Sequence, residues 1–275
     1  MRSYARPQTL DEAIGLIAQG PRRILAGGTD LYPAADRQLD GDVLDLTAIP
    51  ALCGLTPGSG LRIGACTTWT SIAEADLPPA LHCLQQAARQ VGGRQVQNTG
   101  TIGGNLCNAS PAADGVPPLL ALDAVLELVG PAGLRHLPLS QFLTGPRQTL
   151  RRPDEVLAAV IVPEAALQGR SAFVKLGARA YLVISIAMVA ARVEVAAGRI
   201  TGAAIAVGAC SGVAQRLPAV EAELTGAPVA EARAMVRAAD VAAALSPIDD
   251  IRATATYRLA AATELVRRAL RKALA

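Results

Sequence analysis

The chain has 275 residues, of which 51% are apolar and 3% aromatic, and its 26 basic and 23 acidic side chains leave a net charge of +3. Because these charges are interspersed and aromatic residues are scarce, the composition disfavours a nucleic-acid-binding surface. No stretch approaches the ~20 apolar residues of a membrane span and the N-terminus lacks the apolar core of a signal peptide, so we expect a cytoplasmic protein.

The first part of the chain is predicted to form helices that alternate with short strands. The elements predicted here are a helix over 10–18, a strand over 22–26, a helix capped by Thr29 or Asp30 and running toward Gln38, a strand over 43–46, a hairpin around Pro57-Gly58-Ser59-Gly60, helices from Thr70 and over 81–91, a hairpin of 124–129 with 134–137, and a strand over 156–162.

The second part changes character. Strands are predicted over 173–176, 184–195 and 200–209, followed by an alanine-rich helical tail. In the final helix, apolar residues recur at spacings of three and four and give one apolar face. We place the domains at 1–165 and 166–275, with a subdomain boundary near residue 55.

Two glycine pairs are the most informative motifs. Gly27-Gly28 ends an apolar run and precedes Thr29, whereas Gly103-Gly104 follows Thr101 closely. Glycine permits positive φ and brings bare N–H groups against a ligand, and each threonine adds a hydroxyl donor. Two such loops facing each other suit a pyrophosphate and predict a dinucleotide site. Either pair alone is better explained as a turn or a helix C-cap, and neither matches G-x-G-x-x-G or the Gly-Lys-Ser/Thr phosphate loop.

Further motifs occur in an order that resembles a known family. They are CNASPAAD at 107–114, AFVKLGAR at 172–179 and PIDDIRATATYR at 247–258. With the two glycine loops, they resemble the flavin-binding subunits of the molybdenum hydroxylases, the family of xanthine dehydrogenase, aldehyde oxidoreductases and carbon monoxide dehydrogenase. The resemblance implies an α+β fold: a PCMH-type FAD-binding domain of two α/β subdomains, then a C-terminal domain with an antiparallel sheet packed by helices.

The same resemblance implies that both loops, and three residues outside them, bind FAD; because neither glycine loop contains a histidine or cysteine that could tether the flavin, we expect non-covalent binding. The implied cofactor-binding residues are Leu25, Ala26, Gly27, Gly28, Thr29, Asp30, Leu31, Thr101, Ile102, Gly103, Gly104, Asn105, Asp114, Leu157 and Lys175.

Some of these residues have plainer explanations. Asp114 is about equally well explained as the N-cap of a helix over 115–122, and Lys175 as a solvated strand residue. In the third motif, a contact of Asp250, Arg252 and Tyr257 with the cofactor or a subunit competes with an intradomain ion pair plus a core tyrosine. We favour the structural role for those three residues.

The implied function is electron transfer by an oxidoreductase subunit. In this family a molybdopterin subunit oxidises the substrate, and [2Fe-2S] centres of a second subunit pass electrons to FAD and on to NAD, a quinone or oxygen. Because the five cysteines are scattered, without a C-x-x-C pair, we expect those metal cofactors on separate subunits of a heterotrimer and no [4Fe-4S] cluster in this chain. The alternatives are a self-sufficient FAD-dependent oxidoreductase acting on a small substrate, and an FAD-free scaffold.

Overall fold

The computed structural model describes residues 3–35 and 39–275, which form helices and strands in a mixed, α+β arrangement. The strands are β1 (Tyr4–Ala5), β2 (Arg23–Leu25), β3 (Val43–Asp45), β4 (Leu55–Gly58), β5 (Gly60–Gly64), β6 (Val125–Gly130), β7 (Gly133–Pro138), β8 (Leu143–Gly145), β9 (Gln148–Thr149), β10 (Val156–Pro163), β11 (Arg170–Leu176), β12 (Ala187–Ala196), β13 (Arg199–Gly208) and β14 (Gln215–Arg216). The helices are α1 (Leu10–Ala18), α2 (Trp69–Glu74), α3 (His82–Ala88), α4 (Arg94–Thr99), α5 (Ile102–Asn108), α6 (Val116–Ala121), α7 (Leu139–Phe142), α8 (Pro218–Leu224), α9 (Ala232–Met235), α10 (Ala238–Ala243) and α11 (Ala255–Leu274).

A small parallel sheet, in the order β1-β3-β2, begins the chain. Thr9 caps α1 by accepting the N–H of Glu12, and the helix buries Ala13 and Ile17. The last residues of β2 and β3, Leu25 and Asp45, lie opposite each other. The chain leaving β2 therefore starts the first glycine loop at the carboxyl edge of this sheet, where ligands of open parallel sheets bind.

An antiparallel sheet, in the order β4-β5-β10-β6-β7, carries the second glycine motif. Its hairpin β4–β5 confirms the turn expected at Pro57–Gly60. The sheet packs on a core that contains Trp69, Ile102 and Leu106. This core fixes α5, and with it the second glycine pair, against the chain that leaves β5.

A second antiparallel sheet, in the order β11-β12-β13-β14, is covered by α11. Ala262, Val266, Leu270 and Ala273 of this helix are all buried, which confirms the predicted apolar face. Leu259 is half-buried against the same core. No helix among the described residues combines the length and the apolar character that a bilayer span requires.

Two predicted elements differ from the structure. Residues 29–34 form turns instead of a helix, because Pro33 lacks an N–H and disfavours helical backbone at the residue before it; the predicted end at Gln38 lies outside the described residues. The strand expected from 184 begins only at Ala187. Leu182, just upstream of the expected start, has a left-handed φ of 51°, so the chain enters this region from a turn and not from extended backbone. The domain limits at 165 and near 55 stay predictions.

The third motif forms the intradomain ion pair that we favoured. Asp250 pairs with Arg252 at 3.0 Å and with Arg258 at 2.7 Å. Arg258 is 3% exposed and donates to the carbonyls of Ile186 and Ala209, which flank β12 and β13, at 2.6 and 2.8 Å. The expectation of a core tyrosine is wrong, because Tyr257 is half exposed on the outer side of α11.

This ion pair predicts a specific pH dependence of stability. The N–H of Arg252 and the guanidinium of Arg258 lower the pKa of Asp250 to about 2. A carboxyl whose pKa is depressed by folding stabilises the native state above its unfolded pKa, and the contribution disappears as the pH falls through the folded value. We predict that Asp250→Asn lowers the free energy of unfolding at about pH 7 and that this loss vanishes near pH 2.

Urea unfolding at several pH values measures this difference. Asp76→Asn, at an exposed carboxylate, is the control and should give a small difference at every pH. A loss for Asp250→Asn that stays constant down to the lowest pH would contradict the assignment.

Candidate functional site

The first glycine loop leaves its backbone donors free. Gly28 has a φ of +69°, the left-handed conformation expected for it. Within the described part of the chain, no protein acceptor takes the N–H groups of Gly27, Gly28, Thr29 or Asp30. Successive unpaired N–H groups in a turn form a concave donor set that binds anions. This loop therefore fits a phosphate group.

The second glycine pair has a different role. Gly103 and Gly104 lie in the first turn of α5, where Thr101 caps the helix by accepting the N–H of Gly104 at 3.0 Å. Gly103 donates to the carbonyl of Ala65 at 2.8 Å, and a Cβ at Gly103 would lie 2.6 Å from the Cβ of Ala65. The prediction of positive φ and bare N–H groups at this pair is wrong. Both glycines have helical backbone, and their N–H groups are bonded to Ala65 and Thr101.

The two loops touch each other. A Cβ at Gly27 would lie 2.0 Å from the carbonyl oxygen of Thr99 and 2.8 Å from the Cα of Gly100. On the same side, the Thr29 hydroxyl oxygen lies 3.3 Å from the Cβ position of Gly100. Only a residue without a side chain permits this approach of two backbones. The loops thus converge, as the sequence indicates.

A buried acceptor without a donor lies on α5, directly after the second glycine pair. The Oδ1 atom of Asn105, on α5, is buried and has no hydrogen-bond partner. The absence of a side chain at Gly115 lets this oxygen and the Trp69 ring pack closely, since a Cβ there would lie 2.9 Å from the oxygen and 2.5 Å from the ring. An unsatisfied buried acceptor costs about 1–3 kcal/mol. A ligand hydroxyl or N–H group would satisfy it, so the residues present fit a bound polar cofactor.

Asp114 and Lys175 form a buried ion pair that joins the two halves of the chain. Lys175 Nζ lies 2.6 Å from Asp114 Oδ2, with only 6% and 9% of the two side chains exposed. Ser185 donates its hydroxyl to Oδ1 of the same carboxylate at 2.6 Å. The helix N-cap explanation of Asp114 is wrong, because Gly115 occupies the cap position of α6. The solvated-lysine explanation of Lys175 is wrong as well.

Burial sets the protonation behaviour of this pair. Removal from water raises the pKa of Asp114, and the ammonium group of Lys175 opposes that rise. Both oxygens of the carboxylate are occupied by donors from the second half of the chain. Asp114 is therefore held by Lys175 and Ser185 as a structural group rather than left free as a general base.

The other predicted residues are divided between the loop and the core. Ala26 and Leu31 are partly exposed on the first loop. Leu25, Ile102 and Leu157 are at most 5% exposed, and the last two share one core cluster. A cofactor contact for these five residues stays a prediction.

Sequence reasoning missed two residues of this region. Gly100, which meets Gly27 and Thr29, could have been found from the T-G-T-I-G-G pattern, because it stands directly before the capping threonine. Ser185 gives no local signal, because its partner Asp114 is 71 residues away.

Comparison with known proteins identifies the family and supports the fold. Residues 1–165 match the FAD binding domain in molybdopterin dehydrogenase, and residues 172–273 match the CO dehydrogenase flavoprotein C-terminal domain. The chain belongs to the flavoprotein family of the molybdopterin dehydrogenases. The recognition made from the motifs is confirmed.

Individual relatives agree with this family. The chain is 38% identical over 167 residues to the xanthine dehydrogenase FAD-binding subunit of Escherichia coli O157:H7, an alignment that covers 58% of this chain and 57% of that protein, less than two thirds of its length. It is 31% identical to the nicotine 6-hydroxylase medium subunit of Paenarthrobacter nicotinovorans, with 97% and 95% covered.

Solved structures support the fold over its whole length. The carbon monoxide dehydrogenase of Hydrogenophaga pseudoflava matches with a TM-score of 0.90 and 31% identity, covering 99% of this chain and 96% of that one. Quinoline 2-oxidoreductase from Pseudomonas putida 86 matches with a TM-score of 0.87 and 27% identity, covering 100% and 97%. The predicted α+β fold of this flavoprotein is thus confirmed.

The loop contact predicts the effect of one methyl group on cofactor binding. A Cβ at Gly27 would overlap the Thr99 carbonyl and push the loops apart. We predict that Gly27→Ala weakens FAD binding by about 1–3 kcal/mol, roughly 5–150-fold in Kd. Gly15→Ala adds a methyl group where no atom lies within 4 Å and should leave the Kd unchanged. Equal Kd values for the two variants in a fluorescence titration would refute the contact.

The buried ion pair predicts a stability difference between single and double variants. Lys175→Met leaves the carboxylate of Asp114 buried without its partner and should cost about 3–5 kcal/mol of unfolding free energy. The double variant Asp114→Asn/Lys175→Met should recover most of that loss. Lys272→Met, at an exposed lysine, is the control. Urea unfolding that gives equal losses for Lys175→Met and the control would contradict the pairing.

Proposed function

We propose that this chain is the FAD-carrying, electron-transferring subunit of a molybdenum-containing hydroxylase or dehydrogenase. The observation that carries the proposal is the contact between the two loops, with unpaired N–H groups from Gly27 to Asp30 on the first loop and the orphaned Asn105 oxygen directly after the second glycine pair. The family match over residues 1–165 supports FAD as the ligand of this contact.

The loop residues have binding roles. The N–H groups from Gly27 to Asp30 donate to the pyrophosphate, together with the hydroxyls of Thr29 and Thr101. Neutral donors bind such a dianion without a buried cation, whose own desolvation would be unfavourable. Asn105 accepts a hydrogen bond from a cofactor hydroxyl or N–H group. When bound, FAD supplies reversible two-electron chemistry, and the protein supplies position and electrostatics.

The bonding of the site favours an electron relay over a self-sufficient enzyme. A flavoenzyme acting directly on a substrate needs an acid or base that is free to exchange a proton. Here both carboxylate oxygens of Asp114 are occupied, by Lys175 and Ser185. Among the described residues, neither Gly27–Asp30 nor Thr101–Asn105 contains a histidine or cysteine.

The partners follow from the same proposal. Relatives are named as the medium chain of a carbon monoxide dehydrogenase and as subunit alpha of the 6-hydroxypseudooxynicotine dehydrogenase complex. We infer a cytoplasmic heterotrimer in which a small [2Fe-2S] subunit and a large molybdopterin subunit accompany this chain. NAD, a quinone or oxygen takes the electrons from it. The substrate is determined by the large subunit.

Purification of the full chain, with and without its partner subunits, tests this function. We expect a yellow protein with one FAD per chain, which is reduced by substrate only when both partners are present. A colourless chain that takes up no added FAD would favour the scaffold alternative. Oxidation of a small substrate by the chain alone would favour the self-sufficient enzyme.

A further inference from the structure

Two exposed tyrosines stand beside the first glycine loop. Tyr4 and Tyr32 are 61% and 57% exposed, in a chain that has four tyrosines. The ring of Tyr32 packs directly on the loop, because a Cβ at Gly28 would lie 2.5 Å from its Cε2 atom. The missing side chain of Gly28 thus positions an aromatic ring next to the free N–H groups.

The second ring is held at the same sheet edge by a buried carboxylate. Tyr4 donates its hydroxyl to Oδ2 of Asp45 at 2.5 Å. Asp45 is 7% exposed, and Thr47 donates both its N–H and its hydroxyl to the other oxygen, at 2.8 and 2.7 Å. Because Asp45 lies opposite Leu25, where β2 leads into the glycine loop, Tyr4 reaches the edge from which that loop starts.

Tyr4 reaches the last residue of β3, and Tyr32 packs on the loop that leaves β2. The hydrogen bond to Asp45 raises the pKa of Tyr4, and Tyr32 adds a smaller electrostatic contribution in the same direction. Both rings are thus anchored at one end, by a carboxylate or by the loop backbone, while more than half of each remains open to solvent.

Rigid, exposed aromatic rings beside a phosphate-binding loop are suited to a nucleoside base. Bases stack on aromatic side chains with a gain of roughly 1–3 kcal/mol each. If the pyrophosphate binds the free N–H groups of Gly27–Asp30, the nucleoside at its end lies within reach of the loop's own surface. We propose that Tyr4 and Tyr32 bind the adenine ring of the dinucleotide, with Tyr32 as the stacking face and Tyr4 as the adjoining wall. This inference rests on the proposed function. It attributes tighter binding of FAD than of flavin mononucleotide (FMN) to the contact of adenine with these two tyrosines.

Comparing ligands that have or lack adenine tests the proposal. Kd values for FAD, for FMN and for ADP as a competitor are measured on the full chain and on four variants. Three change the proposed site: Tyr32→Leu, Tyr32→Phe and Tyr4→Leu. The fourth, Tyr257→Leu, is the control at an exposed tyrosine of the C-terminal part. We expect Tyr32→Leu to weaken FAD and ADP by about tenfold and to leave FMN unchanged. Tyr32→Phe keeps the aromatic face and should retain wild-type affinity, Tyr4→Leu should weaken FAD and ADP, and Tyr257→Leu should have no effect.

The possible outcomes separate this inference from the proposed function. Wild-type protein that binds FAD, with Tyr32→Leu binding FAD and ADP equally well, overturns the adenine subsite alone. Equal weakening of FAD and FMN by Tyr32→Leu also overturns it, because the variant then disturbs the phosphate loop and not a base contact. Wild-type protein that binds none of the three ligands overturns both proposals. Thermal unfolding of each variant verifies that it is folded.

Discussion

The approach of Gly27 to the carbonyl of Thr99 is the constraint on which the rest of the structure depends. The first residue follows the small parallel sheet, and the second leads through Gly100 into α5, so this contact joins the two parts of the cofactor-binding region. No side chain can be accommodated between the two backbones. Because the contact is made by van der Waals packing, the N–H groups of the first loop are not consumed by it and remain available to an anion.

The two glycine pairs look alike in sequence but differ in what they do. The first supplies a left-handed residue, Gly28, and free donors. The second lets α5 pack on Ala65, and its N–H groups are bonded within the protein. The packing of α5 therefore positions the first glycine loop. The glycines of the loop and those of α5 are required for different steric reasons.

Sequence reasoning succeeded where the determinants are local or chemical. Periodicity predicted the buried face of α11, and the two glycine motifs predicted the meeting of the loops. It failed where the structure depends on distant residues or on backbone restrictions. Pro33 replaces the helix expected after Thr29 by turns, and the partners of Asp114 are Lys175 and Ser185, 61 and 71 residues away. Similarly, the side of α11 on which Tyr257 lies depends on tertiary packing and not on its own motif.

The most direct measurement uses Trp69, the chain's single tryptophan, as an internal reporter of the loop contact. Its Cδ1 atom lies 3.4 Å from the Cβ position of Gly100, so a flavin dinucleotide held between the loops must lie near the indole. Titration with FAD should quench the tryptophan emission and reach saturation at one FAD per chain. Unchanged emission in a chain that has demonstrably taken up FAD would mean that the cofactor binds elsewhere.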